Sequence, residues 1–173
     1  MTPTNQEELK AARELNVFLG FADFAARKGL HVRVDSAVNR RPPEPDILCE
    51  VEGEGLVAFE LVEVIDSNLA ENISVAARKG VPAAGAWVGD TTQERLRKKL
   101  SATYGTRYPI ELVMWANPFI TPPDVWRPMF EPSLKALHGR SQFRRIWVVN
   151  LGGPTNERGV WFVDPPLLVG PSR

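Results

Sequence analysis

A chain of 173 residues, 43% hydrophobic and 24% charged, has the length and balance of one globular domain, which excludes a disordered or low-complexity polymer. Lysine and arginine together number 21 and aspartate and glutamate 21, so no overall positive field exists to hold a polyanion, and any nucleic-acid contact must come from a local basic patch. Cys49 is the only cysteine, which excludes an intrachain disulfide and favours a cytoplasmic setting. The opening MTPTNQEELK carries acids and no apolar h-region, unlike a signal peptide. The most apolar run, Leu56 to Ile65, is broken by Glu60 and Glu63 and is too short to span a bilayer, so no membrane association is expected.

From Thr4 to Lys28 the pattern predicts a helix, with Leu15, Phe18, Leu19, Ala22, Ala25 and Ala26 forming an apolar stripe. Glu7 and Glu8 favour its first turn, and Gly29 follows Arg27 and Lys28 as a terminating glycine. His31 to Asp35 alternates as a strand does, and the prolines of Asn39 to Pro45 mark a loop. Asp46 to Glu52 and Leu56 to Asp66 read as a hairpin turning at Gly53-Glu54-Gly55. A helix is expected over Asn68 to Lys79, a short strand or buried segment over Ala83 to Val88, and a basic helix over Thr91 to Tyr104. Ile110 to Ala116 is a further strand. Asp124 to His138 is interrupted by Pro128 and Pro132, leaving a short helix from Pro132 to His138. Phe143 to Leu151 and Gly159 to Asp164 close the set as strands, ahead of a proline-rich tail. Helices interleaved with strands, without a repeat or a linker, predict one α/β domain over residues 1–173, with a central mixed sheet flanked by helices.

The hairpin carries the chemistry. Side chains alternate across a strand, so Glu60 and Val62 share one face while Leu61 and Glu63 take the other. A tight turn brings the start of the first strand near the far half of the second, and Asp46 can then approach Glu60. Two carboxylates so placed either raise one another's pKa or share a cation, and oxygen-only ligation suits Mg²⁺ or Mn²⁺. The bland alternative makes Asp46 a strand-start residue after Pro45 and Glu60 a solvated residue on a half-exposed face.

Pro45-Asp46 followed by Glu60-Leu61-Val62, on a hairpin between two helices, resembles the PD-(D/E)XK nuclease superfamily over roughly residues 8 to 150 in element order. The resemblance implies a restriction-endonuclease-like core of α-β-β-β-α-β order and a metal-dependent nuclease acting on DNA or RNA. It also implies Asp46 and Glu60 as ligands of Mg²⁺ or Mn²⁺, with a helical glutamate, Glu14 first and Glu8 second. The superfamily's lysine, two residues after the glutamate, is Val62 here. Lys79 or Arg78, on the following helix, is the expected substitute. With no basic group at the site, the alternative is a catalytically inactive nuclease-like fold that binds nucleic acid or protein.

Arg40 and Arg41 stand in the loop entering the site and are the expected phosphate contacts, to be joined by Lys79. Arg95, Arg97, Lys98 and Lys99 read as the solvated face of their helix, and Arg140, Arg144 and Arg145 as a third basic group near a late strand. His31 and His138 lack zinc spacing, and Gly152-Gly153 lacks a phosphate-loop pattern. Cys49 reads as a core residue, as do the tryptophans other than Trp126. Trp126 stands in the Pro118 to Pro132 segment, which either anchors itself to the core through its aromatics or meets a protein partner. The oligomeric state has no sequence signal.

Overall fold

The computed structural model describes residues 5–63, 91–116, 141–150 and 159–161. Helix α1 (Asn5–Ala26) buries Val17, Phe18, Phe21, Phe24 and Ala25, one flank of the expected stripe, while Leu19 stays 40% exposed. It ends where Leu30 N–H reaches back to the Ala25 carbonyl (3.0 Å) and Gly29 turns at φ +83°. That wrap satisfies end carbonyls and needs a left-handed residue, which glycine supplies without steric cost.

Strand β1 (Val32–Asn39) pairs antiparallel with β2 (Ile47–Val51), which forms a hairpin with β3 (Gly55–Glu63). The turn places Gly53 and Gly55 at positive φ, as a hairpin connection demands. β1 runs four residues beyond its expected end. Arg33 lies opposite Glu50 and Val38 opposite Leu48, so the ladder breaks between them. There the Ser36 hydroxyl accepts from Glu50 N–H (2.9 Å) and donates to the Arg33 carbonyl (2.7 Å), keeping the bulged strand attached.

Helix α2 (Thr91–Ser101) precedes β4 (Ile110–Ala116), followed by β5 (Phe143–Asn150) and β6 (Gly159–Trp161). The six strands lie in chain order in one sheet. β3–β4 and β4–β5 are parallel and the other pairs antiparallel, giving the expected mixed sheet. Alternation divides the core between its two faces. Leu112, Met114, Ile146 and Val148 join Leu96 and Leu100 of α2. Phe59, Leu61, Val113, Trp147 and Val149 join the aromatic flank of α1, where Phe18 and Phe59 have ring centroids 5.0 Å apart. Cys49 is fully buried within this second cluster, as expected.

The expected helix at Asn68 to Lys79, the Ala83 to Val88 segment, the Pro118 to Pro132 segment, the Pro132 to His138 helix and the tail lie outside the described residues, as do Lys79, Arg78 and Arg140. No helix among the described residues is long and apolar enough to cross a membrane.

Candidate functional site

The hairpin register decides the position of the acidic pair. Ile47 lies opposite Phe59, so Asp46, one step further, lies opposite Glu60. Each carboxylate is held by the other strand's backbone: Leu61 N–H donates to Asp46 Oδ2 (2.9 Å) and Asp46 N–H donates to Glu60 Oε2 (3.3 Å). The approach expected from the sequence is therefore present. The bland alternative for Glu60 is overturned, because that residue is only 3% exposed beneath α2.

The remaining Glu60 oxygen, Oε1, accepts from the Lys99 ammonium on α2. Here the sequence reading was wrong in kind. Of the four basic residues expected on a solvated helix face, Arg95, Arg97 and Lys98 are exposed, whereas Lys99 sits on the flank of the buried Leu96 and Leu100. A position three after one buried leucine and one before the next faces the sheet, and that spacing was the available signal. Val62, the next residue on Glu60's face, is packed among Leu96 and Leu100, so the base enters from above rather than along the strand.

Glu14 projects from α1 toward the same pair. Asn39 Nδ2 donates to the Ala11 carbonyl (3.3 Å), fixing that stretch of α1 beside the strand end. Burial, and then the Asp46 carboxylate, push the Glu14 carboxyl above its usual range, against the opposing pull of Lys10 and Lys99. Burial and Asp46 raise Glu60 likewise, with Lys99 opposing. Glu8, the second candidate for the helical glutamate, is exposed in the first turn. Tyr104, which follows α2 rather than ending it, donates its hydroxyl to the Lys99 carbonyl (3.4 Å), and burial, with the Glu60 carboxylate nearby, holds it protonated. Sequence periodicity gave no sign of this contact.

Asp46 raises both the Glu14 and the Glu60 carboxyl, and acids gathered in this way are the kind of oxygen donors that suit a hard divalent cation. Among the described residues no three His, Cys, Asp or Glu side chains close on one point as a complete metal cage. Mg²⁺ does not need one, since it is commonly held by one or two carboxylates with water and substrate phosphate supplying the rest. Asp46 and Glu60 fit that mode, and Lys99 neutralises Glu60 in the arrangement described here.

The basic groups divide. Arg40 is committed to Glu44 by two bonds (2.9 and 2.7 Å), while Arg41 is exposed. Arg144 and Arg145 are not phosphate contacts in waiting. Between Ile110 and Glu111 the β4–β5 register shifts, pairing Ile110 with Phe143 and Glu111 with Arg145, so that Arg144 is the extra residue. Both arginines then reach the fully buried Glu111, at 2.5 Å from Arg144 and 2.8 Å from Arg145 Nε. The Trp147 indole donates to the same carboxylate, and Glu54 of the hairpin turn takes both arginines from outside. A lone acid in the strand Ile110–Ala116 carries no local sign of this cluster, because its partners come from β5 and the β2–β3 turn.

Compared with protein-family models, with curated proteins and with solved structures, the chain matches none. Fold and site therefore define its class by themselves: an α/β domain with a six-stranded mixed sheet, in which the half-buried Asp46 and the buried Glu60 of one hairpin meet the partly exposed Lys99 of α2.

Proposed function

We propose that this protein is a metal-dependent phosphodiesterase acting on DNA or RNA, a diverged relative of the PD-(D/E)XK nucleases whose lysine has moved from the strand to α2. The observation carrying this reading is the contact of Lys99 with Glu60, itself held opposite Asp46. Lys99 supports the reading by supplying beside Glu60 a basic group that Val62 cannot provide.

Asp46 and Glu60 would hold Mg²⁺ or Mn²⁺, which when bound offsets charge on a scissile phosphate and lowers the pKa of a ligated water. The two backbone bonds fix both carboxylates, so they need no reorganisation as charge develops. Lys99, 35% exposed, has access both to Glu60 and to solvent, as a group that orients an attacking water or steadies a phosphate must. Glu14 adds negative charge beside Asp46, and the Tyr104 hydroxyl ties down the Lys99 backbone.

Calorimetric titration of Mn²⁺ into the protein, with and without an oligonucleotide, tests the site. Binding that disappears in Asp46→Ala/Glu60→Ala, together with metal-dependent cleavage, supports the reading. A folded parent that neither binds the cation nor cleaves points instead to a catalytically silent binding module. The commitment of both Glu60 oxygens to protein donors is the observation favouring that second reading.

A further inference from the structure

Two loops meet beside the carboxylate site. The first runs from Arg40 to Asp46 and is closed at its base by Arg40 N–H donating to the Asp46 carbonyl (2.8 Å). The second follows α2 over residues 102–109 and includes Tyr104, whose hydroxyl donates to the carbonyl of Lys99 (3.4 Å). Gly105 N–H donates to the Pro43 carbonyl (3.0 Å), and a Cβ on Gly105 would come within 3.1 Å of Pro43 Cγ. The loops are therefore joined at their middles, and each contributes a residue to the acidic site.

Their outer parts share a chemistry. Arg40 and Arg41 stand on one, Arg107 and Tyr108 on the other. The Arg107 guanidinium lies over the Tyr108 ring, 5.2 Å from its centroid, and donates to the phenol oxygen (3.3 Å). Arg40 is also within electrostatic reach of that phenol, although Glu44 balances its charge. Arg41 and Arg107 are exposed and have no acidic partner among the described residues.

A half-exposed aromatic ring with a guanidinium against it, flanked by a second arginine, offers a flat surface for a base and positive charge for the neighbouring phosphates. A base can use that surface only when it is unpaired, because a duplex keeps its bases stacked inside. We infer that the joined loops form a single-strand nucleic-acid grip, in which Tyr108 stacks a base while Arg41 and Arg107 hold phosphates. The grip rests on the nucleic-acid part of the proposed function and gives that site a strand preference.

The test is fluorescence anisotropy with a labelled oligothymidylate in EDTA, so that binding is read without the cation. Tyr108→Ala should weaken binding roughly 5- to 150-fold, the usual scale for one stacked base, while Tyr108→Phe should retain it. Arg41→Ala/Arg107→Ala should lower the slope of log affinity against log salt by about 1.4, from roughly 0.7 per phosphate on a single strand. No binding by the folded parent, an unchanged affinity in Tyr108→Ala, or tighter binding of a duplex overturns the inference. Binding with these dependences but no metal-dependent cleavage leaves the grip standing and sinks the catalytic reading. Cleavage that is indifferent to all the loop variants does the reverse.

Discussion

Two acidic clusters sit on one sheet and face opposite ways. Glu60 faces α2, and Glu111, on the neighbouring strand and the other face, points toward the α1 side. Around Glu111 the charges balance: Glu54 and Glu111 meet Arg144 and Arg145, with an indole N–H added. Around Glu60 they do not: Glu14, Asp46 and Glu60 face Lys99 and the largely exposed Lys10. A buried network whose charges are all paired fixes structure, and one left with surplus negative charge is poised to bind a cation at some cost in stability. Burying acids is common to both regions, and the count of partners separates them.

That contrast can be broken by substitution. The largest effect is expected for Lys99→Ala, which should lower cleavage by about 10²- to 10⁴-fold while Mn²⁺ binding to Asp46 and Glu60 persists or tightens, as the competing ammonium is gone. Single-turnover kinetics with parallel calorimetry reads both, and loss of metal binding in this variant would make Lys99 structural. Next, Glu111→Ala strands two arginines against the core and should cost roughly 3–5 kcal/mol in urea denaturation, as breaking a buried ion pair does. A loss near zero would show that the network contributes nothing to folding. By contrast Glu14→Gln, which removes one of the surplus charges, should raise stability by about 0.5–2 kcal/mol while impairing activity.

The smallest effect is the sharpest in sign. Glu14 has a raised carboxyl in the folded protein, so its ionisation opposes folding only as pH climbs past the unfolded value of about 4.3. The gain from Glu14→Gln should therefore be absent near that pH and below, and fully present above the folded pKa. Glu54 behaves oppositely. Its own burial would raise it, but Arg145 and Arg144 outweigh that and lower it. Its contribution is present above the unfolded value and is lost as pH falls through the folded one. Denaturation curves of the parent, Glu14→Gln and Glu54→Gln at acid and neutral pH should show the two substitutions moving in opposite directions at neutrality and converging on the parent in acid.

The sequence by itself determined what depends on local pattern. The apolar flank of α1, the glycines of the β2–β3 turn and the run of strands gave the α/β class and the meeting of Asp46 with Glu60, because strand alternation and hairpin register are set by neighbours in the chain. The β1 extension escaped because Ser36 replaces ladder bonds from a side chain, which no alternation records. Tertiary structure alone decided the rest. Lys99 lies 39 residues from Glu60, and only the packing of α2 on the sheet separates it from its exposed neighbours Arg97 and Lys98. A one-residue register shift at Ile110 and Glu111 brings Arg144 and Arg145 onto the same acid, turning a basic group near a late strand into an internal brace. The partners of a buried charge are set by distance in space, and composition and periodicity record only distance along the chain.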